Sequence, residues 1–209
     1  MVKSKKPKNE EKIKLKPKEK IIKSLIENKN PQSIRTISGS AVIDYKNTYN
    51  YIGDLTTSGA IVQNAIGNTN LIRLNISPNQ EIYNVENKRA EEFFLKNPKL
   101  KLIKKDIEEI GYPFMIVLVF GSYTKGAKTE NSDIDICIIS DNDDKIKKLI
   151  NKLNLLSLKL EIHQFTANEF ISMIEKNQNN LGREIIKNNL IFYGIENYYN
   201  LISKWMKKE

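Results

Sequence analysis

Apolar residues recur every three to four positions near the start of the chain, after a charged leader. They stand at positions 21, 22, 25 and 26 and, beyond Pro31, at positions 34, 37, 41 and 42. This spacing is typical of amphipathic helices that bury one side. We therefore predict a helix over residues 18–28 and a second helix that Ser33 caps at its N-terminus.

A third helix and a hairpin are predicted next. Asp44 can cap a helix over about 45–57, and Gly59 ends it. The side chains predicted to line the inner side of this helix are Tyr45, Tyr49, Ile52 and Leu55. Short apolar runs then stand on either side of a Gly-Asn dipeptide at 67–68, which is a β-hairpin signal. The two runs are 60–65 and 71–76.

The pattern changes from helical to strand-like in the second half of the chain. After Pro78-Asn79 come two predicted helices, over 85–95 and about 99–110, and Gly111 ends the second. Residues 116–120 are uninterruptedly apolar, as is usual for a buried strand. Two more strands are predicted, over 136–139 and 158–165, and Glu161 and His163 share one face of the latter.

Composition narrows the class of protein. The net charge is +9, but residues 1–20 alone carry +6, so the basic character belongs mostly to the leader. That leader either anchors phosphate backbones or is a solvated, disordered tail. One cysteine and one histidine exclude an internal disulfide and a Cys/His zinc site. The apolar runs are too short to span a bilayer and no apolar signal core is present, so we expect a cytoplasmic protein without a membrane partner.

Two aspartates at the start of a predicted strand suggest metal chemistry. Asp133 and Asp135 are separated by one residue, and positions i and i+2 of a strand project from the same face. Their carboxylates could share the divalent cations of an in-line phosphoryl displacement. Mg²⁺, or Mn²⁺ in its place, is the expected cofactor because carboxylates and substrate phosphates are its usual ligands. Glu161 could add a third carboxylate, as a ligand or as the acceptor of a proton.

A glycine and a serine follow the first buried strand directly. Gly121 permits close approach of a phosphate to the backbone, and Ser122 offers an O–H and an N–H group. Lys125 lies in the segment that follows and could neutralise a triphosphate. These three residues are the predicted nucleotide-binding set.

The stretch GSYTKGAKTENSDID, residues 121–135, resembles the nucleotidyltransferase fold of the DNA polymerase β superfamily, most of all its small stand-alone members. The similarity extends through LEIHQFTANEF and EIIKNNLIFYG and covers about 99–199. It implies an α/β (α+β) fold with a small mixed sheet flanked by helices. It also implies transfer of a nucleoside monophosphate, with AMP from ATP as the first candidate, from a nucleoside triphosphate to a hydroxyl. By position, Gly121 and Ser122 bind the triphosphate, and Asp133, Asp135 and Glu161 are the catalytic metal ligands; the family usually has Asp where Glu161 stands.

Residues 33–61 and 66–75 resemble a winged helix-turn-helix domain. In such domains the third helix enters the major groove of DNA and the hairpin touches the backbone. The resemblance implies DNA contacts by Lys46, Asn47, Asn50 and Arg73. A protein–protein role is the alternative, since a fold does not determine its function.

The resulting division has five parts: a basic tail (1–17), a winged helix (18–77), a helical linker (78–98), a nucleotidyltransferase domain (99–199) and the end of a C-terminal helix (200–209). The first hypothesis is a metal-dependent nucleotidyltransferase, tethered to DNA by the winged helix. Its acceptor would be a small molecule or a protein such as a paired toxin. The second hypothesis is a DNA-binding transcriptional regulator whose nucleotidyltransferase half senses a nucleotide or dimerises.

Overall fold

The computed structural model describes residues 13–67, 69–124, 132–176 and 178–206, and all structural statements below concern these residues. The helices are α1 (Pro17–Glu27), α2 (Ile34–Ala41), α3 (Tyr45–Thr57), α4 (Gln80–Lys96), α5 (Lys101–Ile110), α6 (Asp143–Leu153), α7 (Ala167–Glu175), α8 (Leu181–Lys187) and α9 (Ile195–Met206). The strands are β1 (Gln32–Ser33), β2 (Ile61–Ile66), β3 (Thr69–Leu74), β4 (Ile116–Phe120), β5 (Ile134–Ile139), β6 (Leu160–Phe165) and β7 (Asn189–Tyr193).

The predicted helix caps of the N-terminal part are confirmed. The Ser33 hydroxyl accepts a hydrogen bond from the Thr36 amide at 3.1 Å, which begins α2. The Asp44 carboxylate accepts one from the Asn47 amide at 2.9 Å, which begins α3. Both contacts satisfy backbone donors that the first turn of a helix leaves without a partner.

The prediction of which residues line the inner side of α3 is correct for two residues and wrong for two. Ile52 and Leu55 are buried, as expected, but Tyr45 and Tyr49 are 56% and 58% exposed. Thr48 is buried in their place, and its hydroxyl donates to the carbonyl of Asp44 at 2.9 Å. The buried residues of α3 are Thr48, Ile52 and Leu55. They are three to four positions apart and form a stripe along the helix, and Tyr49 lies one position outside it. Apolar periodicity misplaced the stripe because a small threonine that bonds within its own helix can be buried more easily than a tyrosine.

The hairpin is confirmed with shifted ends. β2 and β3 pair antiparallel from Ile61 opposite Leu74 to Ile66 opposite Thr69. The short strand β1 adds to the other edge of β3, so the sheet order is β1-β3-β2. The predicted second run began two residues too late because the strand pairing already starts at Thr69, opposite Ile66.

A second, four-stranded sheet forms the C-terminal half, in the order β6-β5-β4-β7. β4 pairs antiparallel with β5 and β7, whereas β5 and β6 are parallel, so the sheet is mixed. Helices flank it, and the α/β (α+β) prediction is confirmed. β5 begins at Ile134, which leaves Asp133 one residue before the strand.

The two faces of this sheet belong to two apolar cores. One face, with Val117, Val119 and Ile136, packs in a cluster that includes residues of α5 and α6. The other face, with Leu118 and Cys137, belongs to a cluster that also holds α1, α2 and the three-stranded sheet. Helix α4, in the predicted linker, packs against both α1 and β7. The division of the chain into a winged helix and a transferase domain stays a prediction.

A polar network crosses the buried region between α4 and α9. Glu86 is 1% exposed and forms an ion pair with Arg89, one turn along α4. The Tyr199 hydroxyl donates to Glu86 at 2.8 Å, and the Arg89 guanidinium donates to the Asn189 carbonyl at 3.3 Å. Burial, together with the Glu86 carboxylate, raises the pKa of Tyr199 well above its usual value. No helix in the described ranges is long and apolar enough to cross a membrane.

Candidate active site

Gly121 directly follows β4 and adopts a backbone conformation that is readily accessible only to glycine. Its φ is +71°, in the left-handed region that penalises a Cβ atom. A Cβ built on Gly121 would lie 2.0 Å from Oδ2 of Asp135, since Phe120 and Asp135 are paired across β4 and β5. The glycine therefore lets the backbone turn run directly against the Asp135 carboxylate.

The strand register brings two predicted site residues together. Asp135 on β5 lies opposite Glu161 on the parallel strand β6, so both side chains leave the same face of the sheet. Two residues further along, Cys137 lies opposite His163 in the same register. Asp135, Glu161 and His163 each offer one ligand atom, and these atoms all lie within 4.8 Å of one another.

The surroundings of Asp135 disfavour its negative charge. Burial, and then the Glu161 carboxylate, raise the pKa of Asp135; Glu184 on α8 and Asp133 add to the effect, and His163 opposes it. Carboxylates crowded in this way are stabilised by a cation between them. The arrangement therefore suits a divalent metal ion better than it suits an empty acidic cleft.

The remaining predicted site residues are Asp133, Ser122 and Lys125. Asp133 is exposed and is not part of the three-residue group, so its role as a ligand stays a prediction. Ser122 is half-buried in the 3₁₀ turn that Gly121 opens, as expected for a phosphate-binding turn, and its role is untested. Lys125 lies outside the described residues.

A cavity of about 330 Å³ lies beside this turn, and Tyr123 and Thr124 contribute to its lining. It also contains Lys23 and Lys96, which look at first like a phosphate site. Both ammonium groups, however, contact the carboxylate of Glu92, at 2.7 and 2.8 Å. The cavity lining carries Lys23, Arg89 and Lys96 against Glu27 and Glu92, so most of its positive charge is already neutralised within the protein.

Sequence reasoning gave little weight to two residues of the site. His163 was placed on the Glu161 face of β6 but was given no role there, because an isolated histidine is often structural; its position beside Glu161 was the signal that could have identified it. Glu184 begins the stretch EIIKNNLIFYG that carries part of the resemblance, but nothing in the sequence placed it near Asp135, because α8 lies far along the chain from β5. Sequence spacing identifies residues on neighbouring strands far more easily than residues of a packed helix.

The predicted DNA-contacting residues form part of the N-terminal surface. Lys46 and Asn50 are exposed on α3, and Arg73 is exposed on β3. Asn47 is exposed too, but its side-chain amide donates to the Asp44 carboxylate at 2.6 Å. Base reading by Asn47 would therefore compete with its role at the helix cap.

Substituting Gly121 by Ala should impair the site more than the fold. The left-handed backbone costs roughly 1–2 kcal/mol for a residue with a Cβ atom, and the new methyl group would push the Asp135 carboxylate from its position. We expect a modest drop in the urea midpoint and a much larger loss of divalent-cation affinity, measured by calorimetry. Gly53→Ala on α3, where a Cβ meets nothing within 4 Å, is the control. If Gly121→Ala bound the cation as tightly as the wild type, the close approach of the Gly121 backbone to the Asp135 carboxylate would be contradicted.

Comparison with proteins of curated function found no match. Residues 101–197, slightly less than half of the chain, match the family model described as polymerase beta, nucleotidyltransferase. The matched segment contains the four-stranded sheet together with Gly121, Asp135, Glu161 and His163. This match supports placing the segment in the DNA polymerase β superfamily, and with it nucleotidyl transfer as the general activity.

Proposed function

We propose that the protein is a Mg²⁺- or Mn²⁺-dependent nucleotidyltransferase. It moves a nucleoside monophosphate, with AMP as the first candidate, from a nucleoside triphosphate to a hydroxyl of a protein or small molecule. The observation that carries the proposal is the Asp135–Glu161 pair, opposed on parallel strands, with the Asp135 carboxylate packed against the left-handed turn at Gly121. This pair lies inside the segment that matches the family model.

The donor set fits a divalent cation. Asp135 and Glu161 offer carboxylate oxygens, which hard cations prefer. Burial, and then the Glu161 carboxylate, raise the pKa of Asp135, and a bound cation would offset both effects. Asp133, one residue before β5, is proposed as a further ligand. When bound, such a cation neutralises charge on the phosphates and lowers the pKa of an attacking hydroxyl.

The chain's own groups supply positioning and proton transfer. The acceptor oxygen bonds to the α-phosphorus as the bond to the bridging oxygen breaks, and pyrophosphate leaves with that electron pair. The proton of the hydroxyl passes to a carboxylate, for which Glu161 is proposed because it is 59% exposed and can return the proton to water. Gly121 and Ser122 are proposed to hold the triphosphate through backbone and hydroxyl donors.

Label transfer tests this proposal. The purified protein is incubated with each α-³²P-labelled nucleoside triphosphate, Mg²⁺ or Mn²⁺, and a lysate of its source organism. The variant carrying both Asp133→Asn and Asp135→Asn runs in parallel. A labelled protein or small product that only the wild type forms would support the transferase and identify base and acceptor class. Absence of label, with metal-dependent ATP binding retained, would favour a nucleotide-sensing regulator.

A DNA-binding regulator is the second candidate, and one observation favours it. The element order α1-β1-α2-α3-β2-β3, with three helices and an antiparallel sheet, is the order expected of a winged helix-turn-helix. A cavity of about 690 Å³ on this part is lined in part by Arg35, Tyr45, Tyr49 and Asn70. Arginine and tyrosine side chains are enriched in protein–protein interfaces, so this cavity supports recognition of a protein partner, the alternative to DNA, by the same part of the chain.

Combining Lys46→Ala with Asn50→Ala should weaken DNA binding if α3 is the reading helix. The lost phosphate contact should reduce the slope of log affinity against log salt by about one, and the lost amide should cost discrimination among sequences. Fluorescence anisotropy against a selected duplex measures both. Lys105→Ala, on the exposed side of α5, is a charge-matched control. Equal binding by the wild type and both variants would favour a protein-contact role for this surface.

A further inference from the structure

We propose that His163 is a metal ligand and that, with Asp135 and Glu161, it forms a mixed nitrogen–oxygen site that favours first-row transition-metal ions over Mg²⁺. The inference rests on the proposed metal-dependent function and specifies its cation. It starts from the three ligand atoms that lie within 4.8 Å of one another, two from carboxylates and one from the imidazole. A ring nitrogen placed among such oxygens is a donor that Mg²⁺ sites seldom use.

The His163 ring is oriented toward the site. Its Nε2 atom lies 3.2 Å from Oε1 of Glu161, so Nε2 is the ring nitrogen that faces the carboxylates, and as a ligand it would exchange this contact for the ion. The ring packs beside Phe120, with centroids 5.6 Å apart, and the side chain is only 26% exposed. Packing therefore restricts the imidazole to a position beside the two carboxylates, as a ligand requires.

Charge explains why a cation belongs there. Asp135 lies beside Glu161, and Glu184 and Asp133 are close enough to influence it. A single histidine balances little of this negative charge. An ion coordinated by Asp135, Glu161 and Nε2 of His163 would neutralise the group and use every donor that the geometry brings together.

The nature of the donors then selects the ion. Imidazole nitrogen binds first-row transition-metal ions well, and their affinity for nitrogen–oxygen sites increases from Mn²⁺ onward along the series. Mg²⁺ instead requires near-octahedral oxygen coordination and keeps several waters. His163 should consequently contribute to Mn²⁺ affinity and contribute almost nothing to Mg²⁺ affinity.

The chain offers an unusually direct test, because His163 is its only histidine. Electron spin-echo envelope modulation of the Mn²⁺-loaded, untagged protein detects the ¹⁴N coupling of a coordinated imidazole, and any such signal belongs to His163. His163→Gln keeps a polar oxygen near the position of Nε2 and serves as the matched variant. We expect the coupling in the wild type and its loss in His163→Gln. We also expect a roughly tenfold or greater loss of Mn²⁺ affinity, because even the loss of an outer-shell partner of a metal ligand typically costs about 10–100-fold. Mg²⁺ affinity should be unchanged, so Mg²⁺ should displace Mn²⁺ from the variant about tenfold more readily than from the wild type.

Two results would overturn the proposal. One is Mn²⁺ bound in an Asp135-dependent manner without ¹⁴N coupling, which would leave His163 as an ion-pair partner of Glu161. The other is equal loss of Mn²⁺ and Mg²⁺ affinity in His163→Gln, which would indicate a general effect on the site. Neither result depends on nucleotide transfer, so failure of this inference is distinguishable from failure of the proposed function.

Discussion

Asp135→Asn is expected to lower nucleotidyl transfer by about 10²–10⁴-fold. A metal ion that stabilises developing charge contributes several kcal/mol to the transition state, and about 1.4 kcal/mol corresponds to a factor of ten in rate. Asp135 is the member of the site that Gly121 and Glu161 both approach. Removing the Asp135 charge should therefore weaken cation binding in the middle of the site. Initial rates of label transfer measure the resulting loss of activity.

The same variant should be no less stable than the wild type without metal. Burial and Glu161 raise the pKa of Asp135 in the folded protein, so between its ordinary and raised pKa the folded state binds more protons than the unfolded state. The free energy of unfolding then falls as pH rises through that interval. Asparagine removes this contribution, and the pH dependence of urea unfolding should become shallower there.

Two further variants are needed to interpret the rate of Asp135→Asn. Asp144→Asn, an exposed acid in the first turn of α6, changes the net charge equally and should transfer label at the wild-type rate. Asp133→Asn tests the first aspartate of the motif, whose role as a ligand is a prediction. Wild-type turnover in Asp135→Asn would refute the metal assignment. If turnover were lost together with the fold, the loss would be attributed to unfolding and not to the metal site.

The elements of the site were predictable because they depend on local patterns. An uninterrupted apolar run identified β4, and clean alternation placed Glu161 and His163 on one face of β6. The strand order and the register could not be read from the sequence. They arise from pairing between segments far apart in the chain, and they determine that Asp135 meets Glu161 while Asp133 lies just outside the strand.

The errors have a common physical origin. Tyr45 and Tyr49 were predicted to be buried because they are apolar and suitably spaced, yet a threonine occupies the inner position of α3. The buried pair of Glu86 and Arg89 was not predicted, since charged residues on a helix usually face water. In both cases tertiary packing decided which side chains are covered, and local propensity carries no information about that.

Arg89→Met is expected to lower the free energy of unfolding by about 3–5 kcal/mol, because it leaves the buried Glu86 without its cation. The Arg89 side chain is 11% exposed and that of Glu86 only 1%. The Tyr199 hydroxyl still donates to Glu86, but one neutral hydrogen bond does not offset a desolvated charge. Urea unfolding followed by circular dichroism gives the change.

A double variant separates the charge from the packing. Adding Glu86→Gln to Arg89→Met should restore a large part of the lost stability, because glutamine carries no charge and can still accept from Tyr199. Lys96→Met is the surface control, since Lys96 is 70% exposed and its pair with Glu92 should be worth about 0–1 kcal/mol. If Arg89→Met cost no more than Lys96→Met, Glu86 would not be a buried charge that depends on Arg89. Recovery in the double variant would instead establish that the cost of Arg89→Met comes from the unpaired charge of Glu86 and not from the lost packing of the Arg89 side chain.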